Sequence, residues 1–394
     1  MFKRLAILAM AIFCLLGTDT YSGGAVNAGS QPSTVRTVAP STSKNSSTLK
    51  LHTTKKRTSL TRLSANRRRS RRRLRGNGPY RYSSIGDPAA EDNPAGDDPA
   101  VRQAALTALG NWNGSMVVVD PNNGRVLSIV NQKLALTSGF TPCSTFKPVV
   151  ALAALREGII TPNTKLYVGG RQRMSLTEAL ARSNNVFFHK LGEMLGFTRL
   201  AQYAHEFDLG EKSSEDIPGE SPGRFPSEAP KEGGVGNLAY YGMDMEVTPL
   251  QMAAVISAVA NGGTLYELQY PRTADELSQF EPKVRRQLDD LAKYLPQIKA
   301  GLEAAVLYGT ARSAYDPDMQ IYGKTGTCSE DGARLGWFDS YDAQGQQAKY
   351  VAVVLLRGGR MMFGPHAAEI AGHFYREMLR KERLGTQASM GSGK

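Results

Sequence analysis

Residues 144–162 of this 394-residue chain read STFKPVVALAALREGIITP. Their Ala- and Leu-rich part, residues 147–157, predicts a helix, and Ser144 and Lys147 stand at its start. Because three residues make about one helical turn, the hydroxyl and the amine share one face. A serine hydroxyl is a poor nucleophile without a base, and a lysine amine can be that base once burial or a second cation lowers its pKa. The spacing therefore fits nucleophilic catalysis, although Ser-x-x-Lys also occurs by chance in many helices.

Two further short motifs follow in the chain. Residues 183–185 (SNN) stand at a predicted helix end, where a hydroxyl and an amide two residues apart can point into one cleft. Residues 324–327 (KTGT) predict an edge strand, on which a cation and hydroxyls beside a glycine suit the capture of a carboxylate. None of the three motifs is decisive alone, but the ordered set, each on the expected element, is specific.

The positive charge of the chain is concentrated in its N-terminal part. The formal net charge is +12, yet residues 1–83 hold 17 Lys and Arg against one acid, which leaves 31 bases and 35 acids in the rest. The fractions of hydrophobic residues (41%) and charged residues (21%) are ordinary for a soluble core and exclude a polytopic membrane protein. The globular part carries a small net negative charge, which does not favour binding to the phosphates of nucleic acids, so we expect no nucleic-acid partner.

The first 28 residues predict an export signal. Lys3 and Arg4 precede an uncharged, mostly apolar run over residues 5–17, and Val26 and Ala28 offer small residues for cleavage. A helix of that length spans about 20 Å, short of the ~30 Å core of a bilayer. We therefore expect an exported protein, periplasmic or on the outer side of the cytoplasmic membrane, with a cleaved signal favoured over a retained anchor.

Residues 29–99 predict a disordered linker that is basic first and acidic afterwards. Residues 29–83 are rich in Ser, Thr, Arg and Lys, and residues 84–99 are acidic and rich in Pro and Gly. The simplest interpretation of the basic part is a self-repelling linker, and the alternative is adhesion to an anionic membrane or wall surface. Mixed helix and strand patterns then predict an α/β domain over residues 100–382 and a flexible tail over residues 383–394.

The three motifs and their surroundings resemble the superfamily of serine β-lactamases and D,D-peptidases, and within it the transpeptidase domain of penicillin-binding proteins. The resemblance is carried by residues 116–124 (MVVVDPNNG), 144–162, 183–196, 247–252 (VTPLQM), 261–264 (NGGT), 309–311 (GTA) and 323–327 (GKTGT). It covers roughly residues 105–380. It implies an α/β (α+β) fold, in which an antiparallel sheet flanked by helices and an all-helical subdomain enclose a cleft, with Ser144 at a helix N-terminus.

The resemblance also implies roles for the motif residues. Ser144 would attack the carbonyl of a peptidoglycan stem peptide ending in D-Ala-D-Ala, or of a β-lactam antibiotic, and form an acyl-enzyme. Lys147 would be the general base. Ser183 would relay the proton to the leaving group, and Asn185 would hold the substrate amide.

The strand motif would bind the rest of the substrate. Lys324 and Thr325 would bind the terminal carboxylate with the help of Thr327, beside Gly326, where no side chain blocks the approach. Backbone N–H groups of Ser144 and Thr327 would form the oxyanion hole. We expect no cofactor and no metal ion, because the five histidines show no metal-binding spacing.

Two cysteines flank the motifs. Cys143 directly precedes Ser144, and Cys328 directly follows Thr327. In the resembled fold these positions face each other, and the pairing resembles a disulfide of class A carbapenem-hydrolysing β-lactamases. Export permits oxidation. The resemblance thus implies a Cys143–Cys328 disulfide, with two buried free thiols as the alternative.

Three functions remain open from the sequence. The first is a D,D-peptidase, either a transpeptidase or a carboxypeptidase. The second is a β-lactamase, although residues 185–257 lack the Glu-x-x-Leu-Asn of class A enzymes, and class D enzymes usually carry Ser-x-Val in place of residues 183–185. The third is a non-catalytic sensor or scaffold, which the complete set of polar site residues disfavours. The chain is also expected to lack pedestal and glycosyltransferase domains, and hence glycan polymerisation.

Overall fold

A computed structural model describes residues 80–344 and 347–391. The expected signal over residues 1–28 and the basic segment up to residue 79 lie outside the described residues. In the described part, five strands form one antiparallel sheet in the order β2-β1-β9-β8-β7, and two short two-stranded ribbons pair β3 with β4 and β5 with β6. In chain order the strands are β1 (Gly114–Val119), β2 (Val126–Val130), β3 (Lys165–Gly169), β4 (Gln172–Ser175), β5 (Thr264–Tyr266), β6 (Val284–Gln287), β7 (Gln320–Glu330), β8 (Ala333–Gln344) and β9 (Gln347–Gly358).

Helices cover this sheet. In chain order they are α1 (Pro99–Leu109), α2 (Gln132–Leu136), α3 (Lys147–Arg156), α4 (Leu176–Ala181), α5 (Asn185–Leu195), α6 (Phe197–Glu206), α7 (Gly234–Tyr241), α8 (Pro249–Asn261), α9 (Ala274–Ser278), α10 (Asp289–Ala292), α11 (Leu295–Leu307) and α12 (Gly364–Gly391). Helices α1 and α12 pack together on one face of the sheet, and α8 lies against the other. Helices α3, α5, α6 and α7 contact one another and form the helical part. The expected antiparallel sheet, flanked by helices, is confirmed.

Strand β1 shows why the sheet is covered on both faces. All of its residues are buried. Because side chains alternate along a strand, Val117 and Val119 join the core on the α8 side, whereas Met116 and Val118 join the core on the α1 and α12 side. Full burial of an aliphatic side chain stabilises by about 1.5–3 kcal/mol relative to exposure. An uninterrupted apolar run is what a strand buried on both faces requires.

Described residues before residue 100 already pack into the folded unit, so the expected start of the domain at residue 100 is too late. The acidic segment is packed: Asp92 and Asp97 are nearly buried and form ion pairs with Arg102 of α1, at 3.1 and 2.5 Å between nitrogen and oxygen. The Tyr270 hydroxyl also donates to Asp97 Oδ1 at 2.5 Å. Composition alone could not distinguish solvated acids from acids that neutralise a buried arginine.

The C-terminal boundary also differs from expectation. Helix α12 reaches Gly391, inside the segment 383–394 that was expected to be a flexible tail. Arg383 of this helix pairs with Asp318 at 3.1 Å between Nη2 and Oδ2. Among residues 80–344 and 347–391, none of the helices combines the length and the apolar character that crossing a membrane needs.

Candidate active site

Ser144 lies in a 3-10 turn that leads directly into α3. The turn spans Cys143–Phe146, so Ser144 stands at the start of the helical run, as expected. Thr145 Oγ1 donates to Pro142 O at 2.8 Å and closes the turn. Cys143 and Thr145 are buried, whereas Ser144 is only half-buried. Within these three residues, the one that a substrate can reach is therefore Ser144.

Lys147 is the first residue of α3 and is completely buried. Its Nζ donates to Asn185 Oδ1 at 2.7 Å, to Ser183 O at 2.9 Å and to Ser183 Oγ at 3.1 Å. The same nitrogen lies 5.3 Å from the centroid of the Phe188 ring. These partners hold the amine in place without the opposite charge that would strongly favour its protonated form.

The second motif lies between α4 and α5. Ser183 has a φ of 52°, and this left-handed conformation turns the chain from one helix into the next. Asn184 is the N-cap of α5, since its Oδ1 accepts from Phe187 N at 2.9 Å. The middle residue of the motif is thus structural, while Ser183 and Asn185 both contact Lys147.

Lys324 connects the strand motif to the other two. It lies in the edge strand β7 and is completely buried. Its Nζ donates to Ser183 Oγ at 2.8 Å and to Thr325 O at 2.8 Å. The Ser183 hydroxyl is therefore held between two amines, those of Lys147 and Lys324. Such a bridge is suited to passing a proton from one side of the site to the other.

The other residues of the strand motif bond to neighbouring segments. Thr325 Oγ1 lies 2.6 Å from Thr310 Oγ1, which precedes β7 in the chain. Thr327 is exposed, and its Oγ1 accepts from Gly364 N at 2.8 Å, at the start of α12. These two bonds fix the hydroxyls on either side of Gly326.

Strand β7 approaches the nucleophile turn closely. A Cβ atom on Gly326 would lie 3.0 Å from Pro142 O and 3.1 Å from Thr145 Cγ2, so a larger residue would push the two segments apart. Two residues further along the strand, Cys328 Sγ lies at bonding distance from Cys143 Sγ, with 5.7 Å between the Cα atoms. The two cysteines face each other, as the resemblance implied.

Burial controls the electrostatics of the two lysines. It lowers the pKa of Lys147 well below its usual value, and the positive charge of Lys324 lowers it further. Burial also lowers the pKa of Lys324 to about 7, whereas the charge of Asp339 raises it. An ammonium group that loses its hydration releases its proton more readily. Lys147 is thereby suited to accept a proton at neutral pH.

Sequence reasoning missed two residues near this cluster. Thr310 forms a hydrogen bond with Thr325. The sequence feature that could have identified Thr310 is the short motif GTA over residues 309–311. Asp339 lies on β8 directly across from Lys324. The sequence feature that could have identified Asp339 is an acidic residue directly after the aromatic pair Trp337 and Phe338.

A comparison with protein families agrees with this geometry. Residues 114–376 match the model of the penicillin binding protein transpeptidase domain, which spans the central sheet and all three motifs. The chain belongs to this family. Membership of the penicillin-binding protein family explains why the chain has this fold and why its three motifs follow one another in this order.

Two curated relatives match this part of the chain in sequence. Stage V sporulation protein D of Bacillus subtilis (strain 168) is 29% identical over an alignment length of 317, and the match covers 67% of this chain and 48% of the relative. Peptidoglycan D,D-transpeptidase FtsI of Escherichia coli (strain K12) is 24% identical over an alignment length of 319, and the match covers 70% of this chain and 53% of the relative. The chain thus spans about half the length of the curated relatives it matches.

A solved structure supports the fold. The transpeptidase domain of Burkholderia pseudomallei penicillin-binding protein 3, in its apo form, superposes with a TM-score of 0.63 at 22% identity. The superposition covers 73% of this chain and 95% of that domain. It confirms the overall architecture predicted from the sequence.

Proposed function

We propose that the chain is a serine-type D,D-peptidase of peptidoglycan, a D,D-transpeptidase or a D,D-carboxypeptidase. It forms an acyl-enzyme on Ser144 with stem peptides that end in D-Ala-D-Ala, and β-lactams acylate the same hydroxyl. The observation that carries the proposal is the Ser183 hydroxyl held between Lys147 and Lys324. It joins the amine that follows the nucleophile by about one helical turn to the strand that is proposed to bind the substrate. The name of the FtsI relative supports the substrate class.

The chemistry begins at the nucleophile. Neutral Lys147 takes the proton of the Ser144 hydroxyl while its oxygen attacks the substrate carbonyl carbon. A tetrahedral oxyanion forms, and its C–N bond then breaks. The departing nitrogen receives the proton from Lys147 through Ser183, which leaves the acyl group on Ser144 and the base neutral again. Attack of a second amine on the acyl-enzyme then transfers the acyl group to that amine and frees Ser144, which is the transpeptidase reaction. Attack of water instead releases the shortened peptide, which is the carboxypeptidase reaction.

Binding of the substrate completes the reaction geometry. Protonated Lys324 and the hydroxyls of Thr325 and Thr327 bind the terminal carboxylate, and Asn185 holds the peptide amide. Backbone N–H groups of Ser144 and Thr327 stabilise the oxyanion, with about 3 kcal/mol for each donor. The Cys143–Cys328 disulfide braces the turn and the strand that carry these two donors.

The location of the protein follows from the same chemistry. Peptidoglycan is assembled outside the cytoplasm, and the export signal over residues 1–28 would bring the enzyme there. The basic residues 29–83 would hold it near an anionic membrane or wall surface. The secreted and the anchored form serve this function equally.

Intact-mass spectrometry with benzylpenicillin tests the proposed function. The wild-type protein is expected to gain one drug mass that persists for many minutes, because no residue is assigned to activate water for deacylation. Ser144→Ala is expected to gain none, since the hydroxyl that forms the ester is missing. Ser138→Ala, at an exposed serine six residues earlier, serves as the matched control and keeps the adduct.

Other outcomes of this experiment identify the alternative functions. Rapid hydrolysis of the drug without a lasting adduct would make the protein a β-lactamase. The absence of both adduct and hydrolysis in the wild-type protein would exclude acylation by the drug and favour a sensor or scaffold. A persistent adduct that remains in Ser144→Ala would place the nucleophile elsewhere.

A further inference from the structure

Asp339 is a buried carboxyl that the proposed reaction leaves without a role. It lies on β8 directly across from Lys324 and is 2% exposed. Among the described residues, neither of its carboxyl oxygens has a hydrogen-bond partner. A buried polar group without such partners costs free energy, so this residue is not explained by packing alone.

The side chain of Asp339 is on the catalytic side of the sheet. Side chains alternate along β8, and Trp337 and Tyr341, two positions away on either side, belong to the core that α3 and α8 complete. Burial raises the pKa of Asp339, whereas the charge of Lys324 and the nearby Thr145 hydroxyl, which donates to Pro142 O, lower it. Asp339 therefore lies behind Lys324 and near the turn that carries the nucleophile.

The charged groups of the neighbouring helices are directed elsewhere. Lys147 of α3 bonds to Ser183 and Asn185. From α11, Lys299 donates to Ala260 O at 3.0 Å, and Glu303 accepts from Gln320 Nε2 at 2.7 Å. Helix α8 carries no charged side chain along its length.

The neighbouring strand brings no charge to Asp339 either. On β9, the residue across from Asp339 is the apolar Val353. In the described part of the chain, the charge of Lys324 lowers the pKa of Asp339, and the charge of Asp339 raises the pKa of Lys324 against the effect of burial.

We propose that Asp339 is a positioning residue whose buried carboxyl, directly across the strand pair from Lys324, sets the charge that Lys324 presents to the substrate carboxylate. The carboxyl behind the amine keeps it protonated to a higher pH than burial alone allows. The substrate anion then approaches from the cleft. This inference rests on the proposed function, because it uses the carboxylate-binding role of Lys324.

The pH dependence of acylation tests the proposal. We expect Asp339→Asn and Asp339→Val to move the alkaline limb of the benzylpenicillin acylation rate to lower pH by about one unit or more, as the loss of a close opposite charge does. On that limb, one unit is about a tenfold loss of rate at a fixed pH. A purely structural role would instead lower the rate by the same factor at every pH.

Asp342→Asn is the matched control. Asp342 is a buried acid on the same strand whose Oδ1 accepts from Tyr350 N at 2.7 Å, and its side chain is on the opposite face. Its substitution is expected to leave the alkaline limb in place. Alkaline limbs of both Asp339 variants that coincide with the wild-type limb would overturn the proposal.

Two further measurements distinguish a failure of the proposed function from a failure of the proposal for Asp339. Wild-type acylation that is lost in Ser144→Ala supports the proposed function, whatever the Asp339 variants show. If neither Asp339 variant folds, 13C NMR of the wild-type protein with labelled aspartate carboxyls follows Asp339 directly. Asn variants of the other buried aspartates, Asp92, Asp97, Asp208 and Asp342, identify their signals. The Asp339 resonance is expected to move over the pH range of the alkaline limb, and a resonance that stays constant there would overturn the proposal.

Discussion

Lys147 combines complete burial with a set of uncharged hydrogen-bond partners. A lysine in this position is useful as a base because its amine is readily neutral, and the same property makes it costly to the fold. The unfolded chain can protonate this amine freely, whereas the folded chain resists protonation. Catalysis and stability therefore place opposite demands on one side chain.

Replacement of this lysine by an isosteric apolar residue is expected to stabilise the protein. The pKa of Lys147 lies well below 10.5 in the folded state and near 10.5 in the unfolded state, so between these values the unfolded chain binds more protons and wild-type stability rises with pH. Lys147→Met removes this dependence. We expect a gain of about 1–2 kcal/mol at pH 7 that fades towards pH 10.5, together with loss of acylation.

Urea unfolding at pH 7 and pH 10 measures this effect. The exposed residue Lys231 provides the control, since Lys231→Met is expected to change stability by less than about 0.5 kcal/mol at either pH. A Lys147→Met protein that is less stable than wild type at pH 7 would show that its hydrogen bonds outweigh the cost of burial.

At the scale of elements, the sequence predicted best where local signals mark both ends. Thr248 and Pro249 are typical of a helix start, and in α8 Thr248 Oγ1 accepts from Gln251 N at 3.0 Å while Gln251 Oε1 accepts from Thr248 N at 2.8 Å. Asn261 and Gly262 are typical of a helix end, which the left-handed Gly262 forms. The edge position of β7 was also predicted correctly.

The site was predictable to the same degree. The ordered set of motifs, together with the family resemblance, pointed to Ser144, Lys147, Ser183 and Lys324. The structure brings Lys147 and Lys324 together at the Ser183 hydroxyl. Asp339 was not identified, because its importance comes from a strand pairing with Lys324, and such pairings are not visible in the local sequence. The catalytic roles themselves stay predictions until they are measured.

The link between the nucleophile turn and β7 makes a prediction at this scale. Cys143 and Cys328 are 185 residues apart in the chain, so a bond between them restricts the unfolded state strongly. We expect the double variant Cys143→Ser, Cys328→Ser to lose about 2–5 kcal/mol of unfolding free energy in denaturant titrations. Wild-type protein under reducing conditions is the control and is expected to lose a similar amount.

Alkylation decides whether the bond forms after the proposed export. A chain that begins at residue 29 carries no cysteine besides Cys143 and Cys328. Unfolded without reduction, it is expected to take up no alkylating reagent. Labelling of both thiols would contradict the disulfide.

At the scale of the whole molecule, sequence composition located the change from basic to acidic residues but not the start of the fold. Arg81 N donates to Gly332 O at 2.9 Å, and Ser84 Oγ accepts from Gly359 N at 2.9 Å. The segment from residue 80 therefore packs against hairpin residues from the far end of the sequence. Contacts between such distant parts of the chain are not visible in its composition.

This boundary allows the basic segment to be tested separately from the enzyme. We expect deletion of residues 29–79 to leave folding and benzylpenicillin acylation unchanged, because the whole folded unit from residue 80 onwards is retained. The deletion should abolish retention on anionic vesicles at low salt, and retention of the longer chain should fall as salt rises. A co-sedimentation assay measures both, and equal retention of the two chains would contradict adhesion through this segment.

The order of strands in the sheet has a consequence for biogenesis. Strand β1 is near the beginning of the fold, yet it lies between β2 and β9, and β9 ends at Gly358. A chain that crosses the cytoplasmic membrane N-terminus first, as the proposed export requires, can therefore form the β1–β2 ribbon early. It cannot close its sheet until nearly all of it has been translocated. Long-range pairing of this kind folds slowly and exposes apolar strands meanwhile. We expect newly exported chains to depend on periplasmic or surface chaperones during this interval.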